Sequence, residues 1–249
     1  MSPRSVSLVL PAYNAGGSIG ANVERTLEHL QGRGIDGEIV VADDGSTDGT
    51  ADRVPELPNV RVLRLPHRGK GGALRAGMAA AEGDVRAFTD ADLPYGLEPL
   101  DVALRQLDRS GVHAVVGDRS LPESRYSSST MRRTLSRLAG LAFRVVAGSG
   151  VGDTQCGFKA FRGDVAAEVF RLARVDGFAI DIEVLFVLRR HGLIVQPIPV
   201  RLAGEGRGGS TVHLLRDSAA AARDVVAVRA RWAAGAYRSE VLATLGRRS

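Results

Sequence analysis

Short apolar runs alternate along the chain with stretches in which apolar residues recur every three or four positions. The run VSLVLPAY (6–13), interrupted by Pro11, predicts a strand that passes into a loop. In SIGANVERTLEHLQ (18–31), Ile19, Val23, Leu27 and Leu30 fall on one helical face, and Ser18 suits the N-cap. EIVVAD (38–43) predicts a second strand, GSTDGTADRV (45–54) a turn into a short helix, and NVRVLRLP (59–66) a third strand. GKGGALRAGMAAAEG (69–83) predicts a glycine loop that opens a helix. GDVRAFTDAD then predicts a strand ending on two carboxylates, Asp90 and Asp92. Residues i and i+2 of a strand share a face. Two anions ~5 Å apart at an effective dielectric of ~20 repel by roughly 3 kcal/mol, so this arrangement calls for a counter-charge.

The second half is less regular. LEPLDVALRQLDRSG (97–111) predicts a helix and HAVVGDR (113–119) a strand. SSTMRRTLSRLAGLAFRVVAG (128–148) sets Met131, Leu135, Leu138, Leu141, Ala142 and Val145 opposite its arginines, an amphipathic helix. GFKAFRG reads as a short strand, AAEVFRLA and IDIEVLFVLRRHG (180–192) as helices, and LIVQPIPVRL as a strand. GEGRGGST (204–211) is a glycine-rich loop, HLLRDSAAAARDVVAVRARWAA (213–234) a last helix, and the tail after Tyr237 is weakly specified. Strands alternating with helices imply crossovers and a mostly parallel sheet flanked by helices, an α/β fold. Such sheets bind ligands beyond the carboxyl ends of their strands, where Tyr13, Asp43, Asp44, Asp90 and Asp92 fall.

With 249 residues, 44% of them hydrophobic, the chain can bury the core of one large domain. A single cysteine, Cys156, excludes an internal disulfide and suits a reducing compartment, and with no partnered histidine it reads as inert. No apolar run reaches eighteen residues and MSPRSVSLVLPAYN has no signal-peptide pattern, so the expectation is a cytoplasmic chain. The net charge of +5 points toward anionic partners. Basic residues are scattered, however, and aromatics make up only 5%, which argues against nucleic acid. Of the 33 basic residues only Lys70 and Lys159 are lysines, and both stand beside glycine-bearing motifs.

LPAYN, ADDGSTDGT, RGKGGALRAG and TDADL, in this order and spacing, resemble the family 2 glycosyltransferases of GT-A fold. GDTQCGFKAF and GFAIDIEVL are similar to the polyprenyl-phosphate branch, especially its dolichyl-phosphate glucosyltransferase-like and mannosyltransferase members. The resemblance covers roughly residues 5 to 212. It implies a GT-A domain over 1–212, with 213–249 as a C-terminal helical extension on or near it. It also implies inverting transfer of a hexose from a nucleotide-diphosphate sugar, with UDP-glucose or a relative as donor. A divalent metal, Mg²⁺ or Mn²⁺, would be held at the D-x-D by Asp90 and Asp92, answering their repulsion with a cation shared with the diphosphate.

By the same resemblance Asp44, with Asp43 close behind, meets the nucleobase and ribose, and Pro11, Ala12 and Tyr13 form the other wall. Asp90 and Ala91 belong to the nucleotide site, and the glycine loop with Lys70 lies near it. Small residues at a helix start expose N–H groups, so RGKGGALRAG is expected to cradle phosphate, although it lacks the Walker spacing. On the acceptor side, Asp153 is the first choice for a base or orienting group. Asp181 and Glu183 are either further candidates or a cap and a structural anion. Arg119, and Arg132 or Arg133, would clamp an anionic acceptor head or the leaving diphosphate, and Arg207 with Ser210 would close over the diphosphate from the glycine-rich loop. His67 and His213 have no ligand-like partner and read as ordinary.

One residue departs from the mannosyltransferase pattern: Pro94 stands where a metal-supporting glutamine is common. The C-terminal membrane helices of many members are absent as well. Peripheral contact at the inner membrane face through 128–148, a homodimer, or a soluble small-molecule acceptor are all compatible with the sequence. Two other classes compete, a sugar-phosphate nucleotidyltransferase and a non-catalytic module for anionic lipid or nucleic acid. The ordered DDGS and DAD motifs argue against both.

Overall fold

The computed structural model describes residues 5–124, 153–202 and 214–247. Seven strands form one sheet in the order β3-β2-β1-β4-β6-β5-β7. They are β1 (Val6–Ala12), β2 (Gly37–Asp43), β3 (Val60–Arg64), β4 (Val85–Phe88), β5 (Val112–Asp118), β6 (Lys159–Arg162) and β7 (Ile194–Pro199). All neighbouring pairs are parallel except those of β6, which runs antiparallel to both β4 and β5. The mostly parallel α/β sheet expected from the alternating pattern is therefore present, with one reversed strand in its interior.

Alternation along β1 shows how the sheet separates two cores. Val9 faces one way, toward Val40, Leu74, Met78 and the rings of Phe88, Phe161 and Phe170. Leu8 and Leu10 face the other, toward Ile19, Val23, Leu27 and Leu30 of helix α1 (Ile19–Gly32) and Leu100 and Leu107 of helix α3 (Glu98–Leu107). On the first face pack α2 (Lys70–Ala80), α4 (Gly163–Leu172), α5 (Ile180–Arg190), α6 (Leu214–Ala233) and α7 (Glu240–Arg247). Phe161 and Phe170 meet edge to face with centroids 5.7 Å apart.

Two elements differ from expectation. The tail beyond Tyr237 forms α7, whose Leu242 is fully buried against the first core, and Tyr237 itself is fully buried. β4 stops at Phe88, so Asp90 and Asp92 lie in a turn rather than at alternate positions of a strand. The reversed β6 brings Lys159 opposite Phe88, placing the Cys156–Phe158 segment at the same sheet edge as the ends of β1, β2, β4 and β5.

Candidate active site

The turn after β4 is pinned from three sides. Leu93 N–H donates to the Asp90 carbonyl at 2.9 Å, and Asn22 of α1 donates its side-chain amide to the Ala91 carbonyl at 2.8 Å. Leu93 is buried with φ +47°, a left-handed conformation that costs a bulky residue about 1–3 kcal/mol and persists where its surroundings over-determine it. On the third side is Gly157, where a Cβ would come within 2.0 Å of Asp90 Oδ2. The glycine of TQCGF is therefore required by the position of the Asp90 carboxylate.

Lys70 supplies the counter-charge for that turn. Its Nζ lies 2.7 Å from Asp90 Oδ1 and 3.9 Å from Asp181 Oδ2. Asp181, buried at the start of α5, receives Lys159 Nζ at 2.5 Å, and this ammonium also donates to the Cys156 carbonyl at 2.9 Å. Burial opposes the charge on Lys70, but Asp90 and Asp181 outweigh it and hold the ammonium above its usual range. Burial likewise opposes the Asp90 charge, while Lys70, Lys159 and Arg119 pull its carboxyl below the usual carboxylate range. Asp92 sits at an exposed position, where partial desolvation and the charge of Asp90 raise its carboxyl.

The glycine loop before α2 does not have the geometry of a phosphate cradle. Gly71 and Gly72 N–H both donate to the Asp176 carbonyl, at 2.7 and 3.3 Å, and Arg68 and Gly69 N–H donate to the Asp44 carboxylate at 2.8 and 2.9 Å. The amides expected to meet phosphate are thus bonded within the protein. The glycines serve a close crossing of chains, since a Cβ on Gly71 would lie 2.3 Å from the Val175 carbonyl. Only the Lys70 side chain turns from this loop toward the D-x-D.

His67 Nδ1 lies 3.0 Å from the Asp44 carbonyl and 2.8 Å from its Oδ2, so Asp44 ties the end of β2 to residues 67–69. Asp43 accepts from Ser46 through Oδ1. The rest of ADDGSTDGT clasps the β1–α1 loop: Ser46 Oγ takes Asn14 N–H at 2.9 Å, Thr50 Oγ1 takes Ala15 N–H at 2.8 Å, and Asp48 takes Gly16 N–H at 2.9 Å. Pro11 and Ala12 close β1 and Tyr13 follows, 52% exposed, with its ring stacked on His67 at 4.4 Å and 24°. His67, read as ordinary from the sequence, is part of this wall. Its signal is invisible in one dimension because Tyr13 and Asp44 reach it only across the sheet edge.

On the opposite side β5 ends at Asp118 and Arg119 turns back onto Asp153. The guanidinium grips both carboxylate oxygens, with Nη2 2.9 Å from Oδ1, and Arg119 N–H donates to Oδ2 at 3.1 Å. Burial works against the Asp153 charge, but Arg119 holds its carboxyl below the usual range. Burial pushes the neighbouring Cys156 thiol up to about 11, consistent with an unreactive thiol. Glu183 proves to be the structural anion: fully buried, it accepts from Arg174 N–H at 2.9 Å, Val175 N–H at 2.8 Å and the Tyr237 hydroxyl. Arg132, Arg133, Arg207, Ser210 and His213, with the 128–148 segment and the 204–211 loop, lie outside the described residues.

Among the described residues no group of three or more His, Cys, Asp and Glu side chains is placed to enclose a metal. Asp90 and Asp92 supply hard oxygen donors, and partial burial followed by the nearby charge of Asp90 raises the Asp92 carboxyl. The donor set of the pair, hard carboxylate oxygens, suits an ion of the Mg²⁺ or Mn²⁺ type.

Residues 7–170 match the model for glycosyl transferase family 2, and the chain belongs to that family. It is 35% identical over 215 residues to dolichyl-phosphate beta-glucosyltransferase ALG5D of Trichomonas vaginalis, covering 78% of this chain and 64% of that protein. The chain therefore spans less than two thirds of that relative's length. Mannosyl-3-phosphoglycerate synthase from Rubrobacter xylanophilus superposes with a TM-score of 0.67 at 21% identity, over 95% of this chain and 76% of that one. Glucosyl-3-phosphoglycerate synthase from Mycobacterium tuberculosis, solved with Mn²⁺, UDP and glucosyl-3-phosphoglycerate, gives 0.59 at 25% identity, over 91% and 78%. The fold is the GT-A fold of these glycosyltransferases.

Proposed function

We propose that this domain is an inverting, metal-dependent glycosyltransferase that moves a hexose, glucose from UDP-glucose, onto a polyprenyl phosphate. The nucleobase lies against Tyr13 and His67 with Asp43 and Asp44 beneath, and Pro11 and Ala12 complete that wall. The diphosphate lies over the D-x-D turn, between Ala91 and Lys70. Asp90 and Asp92 would hold a divalent ion, which would supply positive charge to the diphosphate side of the reaction. The acceptor oxygen attacks the anomeric carbon from the face opposite the diphosphate; the new bond to acceptor oxygen forms as the bond to the β-phosphate oxygen breaks. Lys70 offers its ammonium to the leaving group.

The observation that carries the choice of acceptor is the Arg119–Asp153 pair. A hydroxyl acceptor needs a base, yet the carboxylate expected in that role is held by a bidentate guanidinium that lowers its basicity. A phosphate acceptor arrives ionised and needs none. Asp153 therefore orients Arg119, and Arg119 balances the incoming anion. Asp181, locked between two ammonium groups, fixes Lys70 rather than moving a proton. The similarity to a dolichyl-phosphate glucosyltransferase supports the acceptor class, and that to a synthase solved with UDP and Mn²⁺ supports the donor class. Such an acceptor resides in a membrane, so the site works at a membrane face; no helix among the described residues is long and apolar enough to cross one.

The test is UDP release from UDP-glucose with Mn²⁺, offered either a short polyprenyl phosphate or soluble phosphorylated hydroxyl acceptors such as 3-phosphoglycerate. Turnover confined to the polyprenyl phosphate is expected. Turnover with the soluble hydroxyl acceptor alone would reverse the acceptor assignment, and no release from any nucleotide-sugar would remove the enzyme reading.

A further inference from the structure

Four charges alternate along a line into the site: Lys159, Asp181, Lys70 and Asp90. They cancel, which leaves Asp92 as the one carboxylate of the D-x-D without a cationic partner at salt-bridge distance among the described residues. A single carboxylate is a poor site for a hard divalent ion, which needs several oxygens. Asp90 can offer that ion its full carboxylate once the ammonium bound 2.7 Å from its Oδ1 is released. Asp90 also has little room to turn away from Lys70, because Gly157 closes on its other oxygen. Lys70, in contrast, is tethered from behind: Asp181 Oδ2 is 3.9 Å away and stays neutralised by the buried Lys159. Its ammonium can leave Asp90 without becoming an unpaired buried charge, provided another anion meets it.

We propose that Lys70 acts as a stand-in cation that occupies Asp90 until the donor's diphosphate draws the ammonium away, so that metal and nucleotide bind as an interdependent pair. The inference rests on the metal-site reading above and adds to it a role for one residue and its anchor. A stand-in offsets the charge of Asp90 and keeps the turn closed between turnovers. It also refuses a bare metal ion, so the cation enters when a diphosphate is there to share it. Lysine suits the exchange because its ammonium is a compact point charge on a flexible stem, whereas a guanidinium fork binds carboxylate through two parallel bonds and gives it up less readily. Asp181 is the positioning residue that keeps Lys70 within reach of both partners.

The experiment is a titration of Mn²⁺, read by the electron paramagnetic signal of the free ion, on the full chain with and without UDP. Lys70→Met is expected to bind Mn²⁺ without nucleotide about tenfold tighter than the wild type, within the usual size of a coupling between sites. Lys70→Arg, which keeps the charge, should remain as weak as the wild type or weaker. UDP should raise Mn²⁺ affinity by a larger factor in the wild type than in Lys70→Met. Equal or weaker nucleotide-free Mn²⁺ binding by Lys70→Met overturns the inference, as does an unchanged UDP factor. Lys70→Gln is a second neutral variant should the methionine not fold. Asp92→Asn separates the two levels: if it binds Mn²⁺ with UDP as the wild type does, the metal-site reading fails and takes this inference with it. If Asp92→Asn loses Mn²⁺ while Lys70→Met gains none, the inference fails alone.

Discussion

Lys70 and Lys159 sit on opposite oxygens of one carboxylate, Asp181, at 3.9 and 2.5 Å. In a chain whose other 31 basic residues are arginines, its two lysines converge at the site. A skew toward arginine costs little on solvated faces but cannot be followed where a compact ammonium must fit a closed space. Lys159 is fully buried and stands over the Phe88 ring at 5.4 Å, a position with no room for a fork. The lysine count was thus a signal of the site, although the sequence gives no reason for the two to meet.

Asp92→Asn should lower turnover by about 100-fold or more, because it removes the negative charge of one of the two carboxylates proposed to hold the cation. Its exposed position predicts a nearly unchanged melting temperature. UDP release and a thermal melt on the same preparation check both halves.

Gly157→Ala places a methyl where Asp90 Oδ2 now lies, 2.0 Å from the new Cβ. The carboxylate must shift by an ångström or more, and displacements near that size cost about 100-fold in rate. The expected loss of stability is smaller, about 1–3 kcal/mol. Turnover together with denaturant unfolding distinguishes the two effects; a stability loss with full activity would contradict the geometry.

His67→Ala removes the ring stacked on Tyr13 at 4.4 Å and the Nδ1 contact with Asp44. A rise in donor KM of about 3- to 10-fold is expected with kcat little changed, since an aromatic pair is worth about 0.5–1.5 kcal/mol. Initial rates against UDP-glucose concentration measure it.

The Asp153 carboxyl is held below its ordinary value in the fold, so its ion pair stabilises the protein above the unfolded-state value of 3.8 and ceases to do so as pH falls through the lower folded value. Asp153→Asn should therefore melt below the wild type at pH 7. The gap should close as the pH is lowered past 3.8, the value for the unfolded chain. Melting curves at several pH values read this directly, and a gap that widens toward acid would contradict the assignment.

Tyr237→Phe strips a hydroxyl donor from the fully buried Glu183. A loss of about 1–3 kcal/mol is expected from a buried acceptor left short of a partner. Chemical denaturation gives the value.

Much of this architecture was legible in one dimension because the period of the apolar residues changes from two to three or four and back. Leu8 and Leu10, or Ile19, Val23, Leu27 and Leu30, announce their faces without any knowledge of the fold. Two motifs were legible in kind but not in role. RGKGG looks the same whether its glycines expose amides to a phosphate or admit the Asp176 carbonyl, and only the distant partner decides between them. DDGSTDGT reads as a ligand motif, yet Ser46, Asp48 and Thr50 spend their oxygens on the Asn14–Gly16 loop. Helix α7, at eight residues, is too short for periodicity to declare it and is held by the burial of Leu242.

The reversed strand β6 has a consequence for anyone who would dissect this protein. Because it is threaded between β4 and β5, the residues proposed to hold the nucleotide and those proposed to face the acceptor cannot be excised as separate modules. A fragment stopping before residue 153 would carry the D-x-D yet lack Gly157, Lys159 and Asp181, the neighbours that give its first carboxylate a place and a charge. Grafting a new acceptor side onto this donor side therefore means replacing loops around a shared plank, never joining two halves at a seam.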